Sequence, residues 1–406
     1  MGTSDAAAPV PRVVDLFGNR RLPVPLQPLP DELFSSWFTR LAKANGLRPH
    51  QLGQTIAGRG RQLFSGDIDR GVWSDPGSEL ASLTNTSKKL LEQTYLRAYV
   101  GYLWPDRPVH GVWRHVLHLA NGNRTERSFG LQFCPQCLAQ DSTPYFRKHW
   151  RLVFCVVCDV HGCELQDRCP HCKAPLVPHR SDIGEKRLEL APKITQCQFC
   201  RQSLLIEGHE VDTALLLDFQ RLVLATLDRG WISIGGRSVH SVMFFEGLRM
   251  LLSFLDDERQ SGQVHQVLGN CDEKKYIGMY RYGGIEACSL ARRTLLMSMA
   301  GALLTDWPRK AMLTMKSAGV SSRKLIHFWR GPANTAPFWL WQPVKEYLDK
   351  TPYVPSDKEI SNAANYLFRE TTGPRIQDLC ALLNMATNAN ARVAVEWRHR
   401  TATCST

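Results

Sequence analysis

The 406-residue chain carries 50 Lys and Arg against 38 Asp and Glu, a formal net charge of +12, with 43% hydrophobic and 22% charged residues. That length supports about two to four folding units and excludes a stapled miniprotein. The basic balance selects an acidic partner such as DNA or RNA, without naming a fold.

The N-terminal segment 1–21 reads as a flexible Ala- and Pro-rich tail with Asp5 and Asp15 and no apolar run of signal-peptide length. No stretch nears the roughly 18 uncharged apolar residues a membrane-spanning helix needs. Even the apolar stretch Ala214–Leu227 is interrupted by Asp218, Gln220 and Arg221. The expectation is a soluble cytoplasmic protein with no membrane partner.

From Leu22 to Leu29, LPVPLQPL alternates proline with apolar residues, which suits an extended arm on a surface. Asp31 offers an N-cap for a helix over Asp31–Asn45, where Phe34, Trp37, Phe38 and Leu41 stand at i, i+3, i+4 and i+7. Gly46 ends it. A second short helix, Pro49–Ala57, turns Leu52 and Ile56 inward, and the pair reads as a helix-turn-helix. Its outer face would carry His50, Gln51 and Gln54, followed by Arg59 and Arg61, groups that contact bases and phosphates.

Segment Ser78–Leu119 reads as helix with aromatic interruptions, its Tyr95, Tyr99, Tyr102, Trp104 and Trp113 serving core packing. Beyond it the cysteines cluster: of 13 in the chain, most fall between Cys134 and Cys200. Disulfides are rare in a reducing cytosol, so C-x-x-C pairs read as metal ligands.

Four pairs share x2 spacing: Cys134 and Cys137, Cys158 and His161, Cys169 and Cys172, Cys197 and Cys200. Such a loop points two soft donors at one ion, and Zn²⁺ takes four in a tetrahedron. In chain order these pairs give one site of three cysteines and a histidine and one site of four cysteines, two structural zinc ions. Both are closed, with no open position to activate water. Cys155 also forms a C-x-x-C with Cys158, and Cys163 and His171 are spare donors, so replacement of an assigned ligand by Cys155 or Cys163 stays open. Alternation in a strand would bury Cys155 as a core thiol. Stretches such as Trp150–Val157 suit the strands of a zinc ribbon.

After Gly208 the chain reads as mainly helical, with helices near Val211–Leu227, Val242–Leu255, Leu290–Leu304 and Val344–Lys350. Near the end, Ile376, Leu379, Cys380 and Leu383 repeat the i, i+3, i+4, i+7 stripe, and Asn388–Arg400 supplies a following helix. This second helix-turn-helix candidate exposes Asn388, Asn390, Arg392, Arg398 and Arg400 for DNA. No GxxxxGK[ST] loop occurs, and no nucleophile-elbow or grouped carboxylates identify catalytic residues, so no enzyme is expected.

The fold expected is mainly α with a small β-containing double zinc-ribbon and helix-turn-helix segments at both ends. Its divisions are tail 1–21, N-terminal helix-turn-helix domain 22–130, double zinc-ribbon 131–206, helical domain 207–350 and C-terminal helix-turn-helix 351–406. On pattern alone, a zinc-dependent transcription regulator or RNA-binding protein stands as the alternative to a transposition adaptor.

The segments LPVPLQPLPDELFSSWFTRLAKANGL and FCPQCLAQDSTPYFRKHWRLVFCVVCDVHGCELQDRCPHCKAPL together resemble the TniQ family of transposition proteins. The resemblance covers about 22–203. It implies a non-catalytic, bacterial, nucleoid-associated target-selection subunit that recruits an AAA+ ATPase and a DDE transposase to a site on double-stranded DNA. Some relatives work beside RNA-guided complexes and others read DNA directly. By the same resemblance, Cys134, Cys137, Cys158, His161, Cys169, Cys172, Cys197 and Cys200 fall on zinc-ligand positions.

Overall fold

A computed structural model describes residues 21–57, 66–71, 77–108, 111–119, 128–180, 193–207, 214–269, 284–328, 336–348, 355–385 and 391–403. The chain is mainly helical, with one two-stranded sheet and two Cys/His clusters. It divides into two compact units, each assembled from non-consecutive stretches.

The first unit comprises Met1–Ala98, Leu117–Leu152 and Cys163–His209. Its helices are α1 (Phe34–Ala44), α2 (Pro49–Ala57), α3 (Gly77–Thr84), α4 (Lys88–Glu92) and α5 (Pro135–Gln140). The expected stripe of α1 is the core: Phe34, Trp37, Phe38 and Leu41 are buried against Leu52, Ile56, Leu80, Leu83 and Leu91. Phe34 stacks on Tyr95 at 4.4 Å. Each such side chain contributes about 1.5–3 kcal/mol of burial.

The arm from Leu22 has no regular secondary structure and is pinned by side chains. Asn45 accepts from Val24 N and donates back to Val24 O, both at 2.9 Å, and Trp37 Nε1 donates to Leu26 O.

Asp31 is not the N-cap of α1. It lies in the left-handed region (φ 51), its carbonyl accepting Lys148 N and its carboxylate accepting His149 N. The first N–H groups of α1 are instead met across the unit: Leu33 N by Phe146 O, Phe34 N by Thr94 O, and Ser35 N by Asp69 Oδ1. A capping side chain has nothing left to satisfy.

The expected helix over Ser78–Leu119 is correspondingly broken. After α3 and α4 a single 3-10 turn, Leu96–Tyr99, follows, and the described residues beyond it are turns and isolated bridges. Nor is Trp150–Val157 a strand. Lys148–Arg151 is a 3-10 turn, and Trp150 through Cys158 are all buried without alternation, because this stretch is enclosed on every side. The ribbon's β character consists of the single bridges Phe133↔Gln166, Arg168↔Pro175 and Gln196↔Ser203.

The second unit comprises Tyr99–Val116, Val153–Gly162 and Glu210–Thr406. It holds α6 (Ala214–Arg229), β1 (Trp231–Ile234), β2 (Arg237–His240), α7 (Ser241–Asp256), α8 (Glu258–Val267), α9 (Leu290–Leu304), α10 (Arg309–Ser317), α11 (Ser322–Phe328) and α12 (Phe338–Leu348). Three further helices follow: α13 (Asp357–Glu370), α14 (Ile376–Leu382) and α15 (Ala391–Thr403).

The β1–β2 hairpin departs from the helical reading of this stretch. Its signal is local: Ile234-Gly-Gly-Arg237 is a two-residue loop, and Gly235 and Gly236 both take positive φ (58 and 75), as a primed hairpin turn requires.

Helix α9 packs on α6 and α7, where Gly301 lets the Phe219 ring approach to a distance a Cβ would meet at 3.1 Å. The stretch Val153–Gly162 is gripped by this helical body. The buried Gln220 amide accepts Val156 N and Val157 N and donates to Val157 O, while Arg293 donates to Val153 O at 3.0 Å. Helices α13, α14 and α15 contact one another pairwise around Ile360, Ala363, Leu367, Leu379, Cys380 and Val393.

Candidate metal centres

Two groups of four donors come together. In one, a ligand atom from each of Cys134, Cys137, Cys158 and His161 lies within 4.8 Å of every other; in the second the same holds for Cys169, Cys172, Cys197 and Cys200.

Local geometry builds each pair. Cys134 is the N-cap of α5, with Pro135 at the first helical position, and its Sγ accepts Cys137 N at 3.4 Å. In the knuckle after it, Cys158 Sγ accepts His161 N at 3.4 Å and stands 3.6 Å from His161 Nδ1, while Gly162 N closes the turn on Cys158 O. In the four-cysteine cluster, His171 N and Phe199 N donate to Cys169 Sγ and Cys197 Sγ, both at 3.4 Å.

The spacings fit a tetrahedral ion. Bonds of about 2.3 Å from zinc to sulfur place two thiolates about 3.8 Å apart. Across the four-cysteine cluster, Cys169 and Cys200 stand 3.6 Å apart, as do Cys172 and Cys197. Burial pushes the Cys197 thiol up to about 12. A cation at the centre reverses that preference, since a coordinating thiol deprotonates outright.

The spare donors fall elsewhere. Cys155 is fully buried, within the stretch held by Gln220 and Arg293, and outside both groups of four. Cys163 Sγ is 3.5 Å from Cys134 Sγ but also outside the group. His171 Nε2 sits 3.0 Å from Ser203 O, and it too is outside.

The residues expected to meet DNA are less uniform. His50, Gln51 and Gln54 are exposed on α2, with His50 Nε2 2.9 Å from Gln54 Nε2 and Gln51 Oε1 accepting Arg48 N. Arg59, Arg61, Asn388 and Asn390 lie outside the described residues. Arg392 belongs to α15. Arg398 is exposed, whereas Arg400 is partly buried and pairs with Glu396 at 2.9 Å.

Sequence reasoning missed a buried ion cluster beside α1. Arg151 Nη2 donates to Asp67 Oδ2 and Arg151 Nη1 to Asp69 Oδ2, each at 2.6 Å. Residues about eighty positions apart leave no local pattern to read.

A mainly helical chain with two clusters, one of three cysteines and a histidine and one of four cysteines, both able to hold a metal ion, defines a metal-stabilised helical protein. Residues 23–165 match the TniQ family model, and by this segment the chain belongs to the TniQ family of transposition-associated proteins. The match encloses the cluster of Cys134, Cys137, Cys158 and His161 and ends before the four-cysteine cluster. No curated protein matches the chain. Among the described residues no helix is long and apolar enough to cross a membrane.

Proposed function

We propose that this chain is a non-catalytic, DNA-binding target-selection subunit of a transposition machinery, which brings an AAA+ ATPase and a DDE transposase to a site on double-stranded DNA. The observation that carries the reading is the coincidence of the TniQ match with a closed cluster of three cysteines and a histidine inside the matched segment. Two zinc ions fit the donor sets: Cys134, Cys137, Cys158 and His161 hold one, and Cys169, Cys172, Cys197 and Cys200 the other. Four soft ligands fill each tetrahedron, so the metal stabilises the fold and leaves no position for water.

The net charge of +12 supplies phosphate affinity of the salt-dependent kind. Sequence preference falls to the exposed face of α2, through His50, Gln51 and Gln54 with Arg59 and Arg61 after it. At the other end it falls to α15, with Asn388, Asn390, Arg392 and Arg398. Arg400, already paired with Glu396, serves the three-helix body more than the DNA. Direct reading of duplex DNA is favoured over recruitment by an RNA-guided complex, because both helical pairs present donors to solvent.

The test is a titration of the purified chain against duplex DNA at several salt concentrations, alone and with the ATPase. Binding that weakens steeply with salt is expected. No binding at low salt, even with the ATPase present, would sink direct recognition.

A further inference from the structure

The four-cysteine cluster is framed by two knuckles of one design. In each, the residue after the second cysteine turns back to donate to the carbonyl of the first: Lys173 N to Cys169 O and Arg201 N to Cys197 O, both at 3.0 Å. Both take the left-handed conformation, with φ 59 and 64. The knuckle Cys158–His161 shows what that position takes on conformational grounds alone, for there Gly162 occupies it at φ 67 and donates to Cys158 O. Glycine is the residue that adopts this conformation without strain. The four-cysteine knuckles instead place a long cation there twice.

Between those cations the second knuckle carries Phe199, which is 64% exposed although its neighbours Cys197 and Leu204 are buried. Its backbone N–H is tied to Cys197 Sγ, so the ring is borne at the tip of a rigid turn. The surrounding sequence holds no acid: none occurs from Arg168 to Arg180 or from Lys193 to Leu205. Arg168 is neutralised by Asp167 at 2.6 Å. Lys173 is exposed, with Nζ donating to Pro170 O at 2.8 Å, a carbonyl that leaves its charge uncompensated. Arg201 is partly exposed.

An exposed aromatic ring among cations, on a frame without acidic side chains, matches the chemistry of single-stranded nucleic acid, in which phosphates meet Lys and Arg and unstacked bases meet a ring face. Duplex bases keep their faces stacked and offer Phe199 nothing. We infer that the four-cysteine knuckles, through Lys173, Arg201 and Phe199, bind an unpaired stretch of DNA, with the two cations on phosphates and Phe199 stacked on a base. This surface is separate from the helices proposed to read duplex DNA, and it rests on the metal-filled reading of the four-cysteine cluster.

The experiment measures binding of the full chain to a fluorescein-labelled oligo-dT by anisotropy across a salt series, with duplex DNA and oligo-rU in parallel. Phe199→Ala is expected to weaken oligo-dT binding about 10-fold, leaving the salt slope and duplex affinity unchanged. Lys173→Gly with Arg201→Gly, which the backbone at both positions welcomes, is expected to reduce the slope by about 1.4, at about 0.7 per phosphate lost. Unchanged oligo-dT affinity in either variant at normal zinc content overturns the site. So does an equal loss of duplex and oligo-dT binding by Phe199→Ala, or tighter binding of oligo-rU than oligo-dT. Absence of zinc from the wild-type four-cysteine cluster, by contrast, overturns the metal reading beneath it.

Discussion

Arg151 and Asp67 meet at 2.6 Å with both groups buried, and Asp69 completes the cluster from the other guanidinium nitrogen at the same distance. Asp67 and Asp69 are joined by the 3-10 turn Ile68–Arg70, and Asp69 also accepts Ser35 N at the start of α1. The arginine therefore ties a turn, the first turn of α1 and the carbonyl of Leu117 into one buried network. Burial alone would raise both carboxylates; the guanidinium overcomes this at Asp67, while at Asp69 burial and the neighbouring Asp67 prevail and hold it up at about 6.

Removing the cation leaves two buried carboxylates facing each other. Arg151→Met is expected to cost about 3–5 kcal/mol, because the loss of one partner strands the charge of the others. Urea unfolding at pH 7.5 checks this; a cost under about 1 kcal/mol would show that the cluster is hydrated and loosely held.

Gly247 on α7 has no room for a side chain. A Cβ there would lie 2.4 Å from Trp339 Cζ2, and the indole cannot step aside without giving up its bond from Nε1 to Met243 O. Gly247→Ala is expected to destabilise the second unit by about 1–3 kcal/mol, the range for overpacking a tight core, despite the better helix propensity of alanine. Thermal melting of the variant above wild type would contradict the packing described.

Metal content discriminates among the cysteines. Cys169→Ser removes one of four donors and should lower zinc from two ions per chain to one, with aggregation or early melting of the ribbon, since binding and folding of such sites are coupled. Cys155→Ala should retain both ions. Elemental mass spectrometry of the two variants decides, and loss of zinc on changing Cys155 would return that residue to the ligand set.

Three buried histidines set an acid limit. Burial holds His115 down at about 4 and His179 and His240 at about 3, all below the ordinary value near 6.5. Their folded forms are neutral, so the unfolded chain takes up protons first as pH falls. The stability they contribute is whole above about pH 6.5 and is lost on acidification toward pH 4 and 3. The combined slope approaches about 4 kcal/mol per pH unit, three protons at about 1.4 each. Denaturant midpoints at pH 7.5, 6.5 and 5.5 in zinc-containing buffer test this, and a midpoint that rises on acidification would refute it.

Much of this architecture is legible in the sequence where short-range spacing governs. The helices Pro49–Ala57 and Leu290–Leu304 have the bounds their patterns imply, and the apolar stripe of α1 is the first unit's core. The hairpin at Gly235-Gly236 is written just as locally, in a two-glycine loop, but lies hidden between two strongly apolar helices.

The sequence by itself determined which residues are paired by x2 spacing and which helix faces are apolar, because both follow from the fixed geometry of neighbouring residues. Only the tertiary structure decided between Cys155 and Cys158. That choice turns on Gln220 and Arg293 gripping the backbone around Cys155 from helices far along the chain. The same holds for the start of α1, satisfied by carbonyls of Thr94 and Phe146 in place of Asp31, and for the meeting of Arg151 with Asp67. Such choices depend on which buried polar groups remain unsatisfied once all the elements have packed, and no local window of sequence contains that sum.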